Sequence, residues 1–482
     1  PSAPVRPAVR ALAVLPFRDL AGPTSSEAWG IGMTDAIISR LASLQNLAVR
    51  PTSAVLKYAS TPADPAQVAR ELAVNSVLDG TYQRVGGAVR VSVQLIDPES
   101  RATRWAGRYD LRAKDVLKFQ DEVAQKVVEG LSVEVSQAEQ KSMATPETRS
   151  AAAYNPYLQA RFYLNEYHMR SRLESLHQGR RLAQQGIAKD PTFAEAYALL
   201  SNFYGAESAN FAKNARENVQ QAQRAAEHAL RLDPNLADAH ASMGLAYTQA
   251  GRNVEAIQSL RQALRLAPNL ESAYTGLGYV YHYSGLLYLA EQAYRRSIEL
   301  NPAELQRHWM HARVLLFLGR EAEAEEELHQ ALRANPDQMK AMAYLGEVLY
   351  YEGKLPDAEQ TFARAVELSR NSGDFTARHL AAFLYASRGE RGKIDPQLFK
   401  TKPAEETDGD SAYWVGGIYS LLGEKQQALA WLRRAVELGN HNYPWFQRDK
   451  NWTNLRSDPE YQRIMDEVRR HWEHYRELFV RG

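Results

Sequence analysis

Two rhythms of apolar positions divide the chain near residue 140. Before it, apolar residues fall in short β-branched or alternating runs, "ALAVLPF", "NLAVRP", "NSVLDGTYQRV", "AVRVSVQLID" and "TRWAGRYD", whose length and period of two predict strands. Stretches at about 27 to 45, 65 to 73 and 115 to 135 carry helical spacing instead. The order strand, helix, strand, helix, meander, closing helix predicts a mixed sheet with helices on one side over residues 10–140. "VGGA" at 85 to 88 predicts the hairpin turn of that meander. Asp79 in "VLDGTYQR" and Asp97 in "LIDPES" stand before Gly or Pro and read as turn formers.

Beyond residue 140 the pattern is helical and it recurs. Pro234, Pro268, Pro302 and Pro336 stand 34 residues apart, and Gly251, Gly285, Gly319 and Gly353 keep that interval. Ala256, Ala290, Ala324 and Ala358 recur in the same frame, as do Ala263, Ser297, Ala331 and Ala365. Small residues at fixed offsets mark where two antiparallel helices touch, Gly turns the chain between them, and Pro stops the second helix. Together with "AYTGLGYVYHYSGLLYLAEQAYRRSIELNP" at 273 to 302, these residues resemble the tetratricopeptide repeat. The expected architecture is an α+β N-terminal domain followed by an all-α tetratricopeptide-repeat superhelix.

The frame assigns 1–9 to a Pro-rich linker, 141–153 to a connection containing "SMATPETRS", and 154–456 to about seven to eight helix pairs. One pair carries an insertion at 205–215, and one, at 373–408, is degenerate because prolines and acidic residues stand where its second helix belongs. Residues 457–482 read as a capping helix over the open apolar edge. Trp414 and Trp431 fall at core positions of the last pair.

The first half carries a second resemblance. "AVLPFRDL", "GMTDAI", "VRPTSA", "ARELAVNSVLDGTYQR", "VRVSVQLID", Trp105 with "RYD", and "FQDEVA" follow in order from residue 11 to about 130. They resemble the TolB-type amino-terminal module. That family joins such a module to tetratricopeptide repeats in membrane-tethered bacterial regulators, including CadC-like winged-helix regulators, receptor-type adenylate cyclases and some protein kinases. The resemblance therefore implies a sensory or protein-interaction region whose effector lies elsewhere. Its CadC-like branch implies a periplasmic location, and its cyclase and kinase branches leave the cytoplasm open. It also makes "GPTSSEAWGIG" at 22 to 32 a structural loop and helix start. That stretch lacks the Lys of a phosphate-binding P-loop and the third glycine of a dinucleotide fingerprint.

Composition narrows the chemistry. A formal net charge of +1 over 482 residues supplies no field for nucleic acid. A membrane is expected only through a segment upstream of Pro1, and the oligomeric state stays open. The chain holds no cysteine, which removes thiol catalysis and thiolate metal sites. No HExxH, GxSxG or EF-hand spacing occurs, so neither enzyme activity nor a cofactor is expected. His308 and His311 fall at the repeat's inner packing positions and read as packing residues, and His471 and His474 read as a solvated helix face because no third ligand completes a site on that stretch.

Candidate binding residues follow from the repeat frame. In tetratricopeptide arrays the first helix of each pair lines the concave side, and inward positions fall six, three and two residues before each Gly. These are Tyr279, His282 and Tyr283, then Arg313, Leu316 and Phe317, then Glu347, Tyr350 and Tyr351, with Thr248 and Gln249 preceding them. Aromatic faces interleaved with a cation, an anion and an imidazole suit an extended peptide, a partner protein or a small polar ligand. A sensory interaction module and a stand-alone adaptor or assembly scaffold both fit this pattern.

Overall fold

The computed structural model describes residues 10–21, 27–42, 44–59, 62–85, 88–112, 116–137, 139–140, 148, 150–170, 173–210, 214–302, 304–370 and 374–480. The expectations for the 22–26 loop, the 86–87 hairpin turn and the 141–147 part of the connection lie outside these residues.

The N-terminal domain runs β1 (Arg10–Val14), β2 (Arg18–Asp19), α1 (Glu27–Ala42), β3 (Leu47–Val49), α2 (Thr52–Val55), α3 (Pro65–Leu72), β4 (Ser76–Val85), β5 (Ala88–Ile96), β6 (Thr103–Leu111) and α4 (Val116–Gly130). The sheet order is β3-β1-β4-β5-β6, parallel at the first two junctions and antiparallel at the last two. Local chemistry fixes the helix ends. Asp64 accepts the Ala66 N–H ahead of Pro65 at the first turn of α3, and Ala73 closes that helix at φ 50°.

Leu12, Ala13 and Val14 of β1 are all fully buried, so both faces of the central strand are covered. The reason is topological. The crossover from β1 to β3 and the one from β3 back across β1 to β4 run in opposite directions, and right-handed connections place α1 and α3 on opposite faces. This corrects the expectation of helices on one side. Asp79 is a second correction: it lies inside β4 opposite Gln94 and pairs with Arg18 at 3.0 Å. Asp97 does turn the chain, accepting the Glu99 and Ser100 N–H groups at 3.1 Å.

The repeat array consists of α5 (Ala151–Arg170), α6 (Leu173–Lys189), α7 (Ala194–Asn210), α8 (Ala215–Leu232), α9 (Ala237–Gln249), α10 (Asn253–Leu266), α11 (Glu271–Tyr283), α12 (Leu287–Leu300), α13 (Leu305–Leu318), α14 (Glu321–Ala334), α15 (Met339–Glu352), α16 (Leu355–Ser369), α17 (Thr376–Ser387), α18 (Gly409–Leu421) and α19 (Lys425–Glu437). Ala256, Ala290, Ala324 and Ala358 are fully buried where helices meet. The turn glycines Gly251, Gly285, Gly319 and Gly353 have φ between 68° and 81°, a left-handed conformation that a side chain would strain. The extra residues of the second pair lengthen its helices, 17 and 18 residues against 13 and 14 in the next pair. Between α17 and α18 the second helix is replaced by short 3₁₀ turns, Arg391–Lys393 and Pro403–Glu405, with Ile394 and Leu398 buried in its place. The chain ends in α20 (Tyr443–Arg448), a 3₁₀ turn (Lys450–Leu455) and α21 (Pro459–Phe479). No described helix is long and apolar enough to cross a membrane.

Several contacts among the described residues join the domain and the array. α1 packs on α5, with Ala36 in the same buried cluster as Tyr154, Tyr157 and Leu158, and Asp35 pairs with Arg161. Asn269 donates to the carbonyls of Leu44 and Leu47 at 3.2 Å, covering the β3 edge. Arg50 donates to Leu72 and Ala73 at the end of α3 and to Glu299 and Leu300 at the end of α12, at 2.7 to 3.2 Å. One guanidinium thus satisfies the negative ends of two helix dipoles belonging to different domains.

Candidate functional site

The surface formed by the first helices of the third to sixth pairs, α9, α11, α13 and α15, is occupied by the chain's own residues 408–414, at the start of α18, and 439–451. The course of the latter segment follows the repeats in order. Asn253, beside the Gly251 turn, donates to the Gly439 carbonyl at 2.9 Å. At the next turn the His441 N–H donates to the Tyr283 carbonyl at 2.7 Å. Trp445 then lies over Phe317, ring centroids 4.4 Å apart, and Arg448 donates to the Phe317 carbonyl. At the sixth pair, Tyr351 donates to Asp449 at 2.9 Å and Tyr350 to Asn451 at 2.8 Å. From the third pair to the sixth the segment thus runs from Gly439 to Asn451, non-helical over 440–442, then as the short helix α20 and the start of the 3₁₀ turn.

The candidate side chains are brought together here, and they face this segment. Tyr279 donates to Tyr283 at 3.1 Å, and the Tyr283 hydroxyl accepts the Asp410 N–H at 3.1 Å. Arg313 donates to the Asp410 carboxylate at 2.8 Å. Its guanidinium lies 5.5, 4.9 and 5.3 Å from the ring centroids of Phe317, Tyr344 and Trp414, a desolvated cage that favours the cation. Tyr350 is also covered by Lys450, whose Nζ stands 3.9 Å from the ring centroid. Gln249 is the exception: it donates to the Gly205 carbonyl at 3.0 Å and ties α9 to α7.

The Arg313–Asp410 ion pair sets the electrostatics at the centre, among further buried acids. Burial pushes the Glu347 carboxyl up to about 8, and this outweighs the opposing pull of Arg313. Burial also drives His282 down to about 3, with Asp410 and Arg313 acting in opposite senses on it. Asp410 is held below its ordinary value by Arg313 against the effect of burial. Arg313⁺ and Asp410⁻ form the charged pair, burial holds Glu347 and His282 toward their neutral forms, and Asp408, which accepts from the Tyr283 hydroxyl, is pushed up to about 7 by burial and by Asp410. Asp449 is buried with two phenols, Tyr351 and Tyr413, and the Asn451 N–H donating to it.

Asp410, Trp445, Asp449 and Asn451 were not legible as groove residues from the repeat frame. For the last three the one signal is that "HNYPWFQRDKNW" at 441 to 452 falls out of period and is dense in aromatic residues; Asp410 has none. The other singled-out residues sit elsewhere. His308 and His311 both lie beside Glu327, at 2.5 and 3.6 Å. His471 departs from the expectation of a solvated face: its ring stacks on His441 with centroids 4.1 Å apart and planes 3° apart. The described residues hold no group of three or more metal-ligating side chains. Trp414 and Trp431 are buried.

Comparison with known proteins places regulator-like and repeat regions on this architecture. Residues 8–126 match the family described as HilA/YgeH-like transcriptional regulator, second domain. Residues 244–285, 271–304, 310–373 and 409–440 match tetratricopeptide-repeat families. A curated protein of Rhizobium meliloti (strain 1021), named "Putative adenylate cyclase 3", is 30% identical over 198 residues, 41% of this chain and 33% of its own length. The chain thus spans about a third of that relative. Among solved structures, Pseudomonas aeruginosa PilF is similar at 20% identity and TM-score 0.34, covering 46% of this chain and 91% of that one. Human IFIT1 is similar at 13% identity and TM-score 0.43, covering 68% and 87%. Residues 8–126 thus resemble a HilA/YgeH-like regulator domain and tetratricopeptide repeats follow them, a combination that suggests a protein-interaction region.

Proposed function

We propose that this chain is the non-catalytic sensory and protein-interaction region of a bacterial signalling or transcriptional regulator of the CadC-like kind, and that its repeat groove binds an extended peptide or protein segment. The observation that carries the reading is the occupant. Residues 439–451 run through the groove as a docked peptide would, held by phenol-to-carboxylate and phenol-to-amide bonds, aromatic stacking and Lys450 over Tyr350. A partner segment of the same chemistry, aromatic with acidic or amide side chains, competes for these positions. The intramolecular segment sets the threshold that the partner's affinity must exceed.

The test replaces Tyr279, half-buried at the groove's edge, with a photo-crosslinking phenylalanine analogue in the intact protein in cells, with Gln330, exposed on α14, as control. The expected result is a partner peptide joined at position 279 and not at 330. Its yield rises when Asp449→Ala and Asn451→Ala weaken the internal occupant. A partner joined at 330 and absent from 279, with no response to the 449 and 451 variants, would overturn the reading.

A further inference from the structure

The two edges of the sheet differ. The β3 edge is short and lies against the array, where Asn269 bonds to the carbonyls of Leu44 and Leu47. β6 is the opposite edge, nine residues long, and among the described residues no strand flanks its outer side. Alternate residues of such a strand direct N–H and C=O groups outward, and proteins commonly block them with Pro, Lys or shortness. Residues 103–111 contain neither Pro nor Lys, and the one irregularity, a register shift beside Leu95 and Ile96, lies at Arg104 and leaves 105–111 regular.

The side chains are arranged to meet a copy of themselves. Arg104, Ala106, Arg108 and Asp110 are exposed on the face away from α4. Trp105, Gly107 and Tyr109 point the other way, toward α4, where Tyr109 meets Phe119 with ring centroids 5.0 Å apart. Directly opposed residues in a sheet share a face. A second β6 added antiparallel, with its helices on the same side, must therefore pair about a residue and not between two. Pairing about Gly107 sets Trp105 opposite Tyr109 twice along the regular part of the strand and brings Arg104, which stands at the register shift beside Leu95 and Ile96, up to Asp110 twice. Pairing about Ala106 opposes Arg104 to Arg108, and pairing about Arg108 opposes that residue to itself. Pairing about Tyr109 sets Arg108 against Asp110 but joins only residues 107–111.

The neighbours extend the match. Within one copy Arg90 donates to Asp110 at 2.7 Å, and Arg104 pairs with Asp97. About the Gly107 axis the charges then alternate across the junction: Arg90, Asp110, the second copy's Arg104 and its Asp97. At the axis Gly107 lets the rings of its own copy close over the backbone. A Cβ there would stand 2.8 Å from both the Trp105 and Tyr109 rings, which lie over it. We propose that two copies of this chain associate through β6, pairing antiparallel about Gly107 to form one continuous sheet.

The experiment measures the mass of the whole chain in solution by sedimentation. A dimer is expected, with Arg104→Asp and Asp110→Arg each weakening it by about tenfold or more and the double exchange restoring it. Register is read separately, since the chain has no cysteine of its own. A mixture of Ala106→Cys and Arg108→Cys proteins, both substituted at exposed positions, should give a cross-linked heterodimer, and neither alone should. A wild-type monomer, a dimer indifferent to both charge variants, or absence of the mixed cross-link would each overturn the proposal. Arg104→Asp also sets a second carboxylate beside Asp97, so if that variant folds poorly the mixed cross-link, which leaves residue 104 untouched, decides between the two outcomes.

Discussion

Arg313 and Asp410, 97 residues apart in sequence, stand 2.8 Å from each other in the interior of the array. Both side chains are buried. Asp410→Ala leaves the guanidinium without its counter-charge, and urea unfolding should show a loss of about 3 to 5 kcal/mol. The double variant Arg313→Met, Asp410→Leu should lose clearly less than Asp410→Ala alone, because it removes the stranded charge. A double variant as damaging as the single one would show that the pair is not what holds residue 410 in place.

Glu347 provides a pH signature at the same centre. Its folded-state value of about 8 lies above the ordinary 4.5, so the folded chain holds a proton that the unfolded chain releases. The stabilisation is complete below about 4.5 and is lost as pH rises through about 8. Glu347→Gln, which copies the protonated form, should match wild-type melting near pH 4.5 and exceed it increasingly up to pH 8. A constant difference between the two melting curves across that range would count against the buried acid.

Ala290 is fully buried where α12 meets its neighbours. Ala290→Leu should destabilise by about 1 to 3 kcal/mol through overpacking. An unchanged melting temperature would mean that the contact has room the packing does not show.

Arg50→Ala removes every bond from that guanidinium to the ends of α3 and α12. Hydrogen bonds to a charged donor contribute about 1.5 to 3 kcal/mol each at most. The loss should appear locally, as faster amide exchange at 299–302 and 50–55, while β4 and β5 keep their protection. Loss of protection throughout the sheet would place Arg50 in the domain's own folding instead of its docking.

The sequence alone determined the helix pairs, because their cause is local and repeats. Gly251, Gly285, Gly319 and Gly353 must turn left-handed, and Ala256, Ala290, Ala324 and Ala358 must be small, whatever surrounds them. The strands of the first domain are legible for the same reason, since alternation is set by neighbours two residues apart. Counting from those glycines puts Tyr283, Arg313, Tyr350 and Tyr351 on one face of the array, and in the structure that face meets the chain's own later residues. What fills the groove could not be read. The meeting of Asn253 with Gly439, 186 residues away, depends on small rotations added over the intervening helix pairs, and no single repeat encodes their sum. The sides of the sheet on which α1 and α3 lie, and the stacking of His471 on His441, were likewise decided by crossover direction and chain return. Those are properties of the whole path that no local pattern carries.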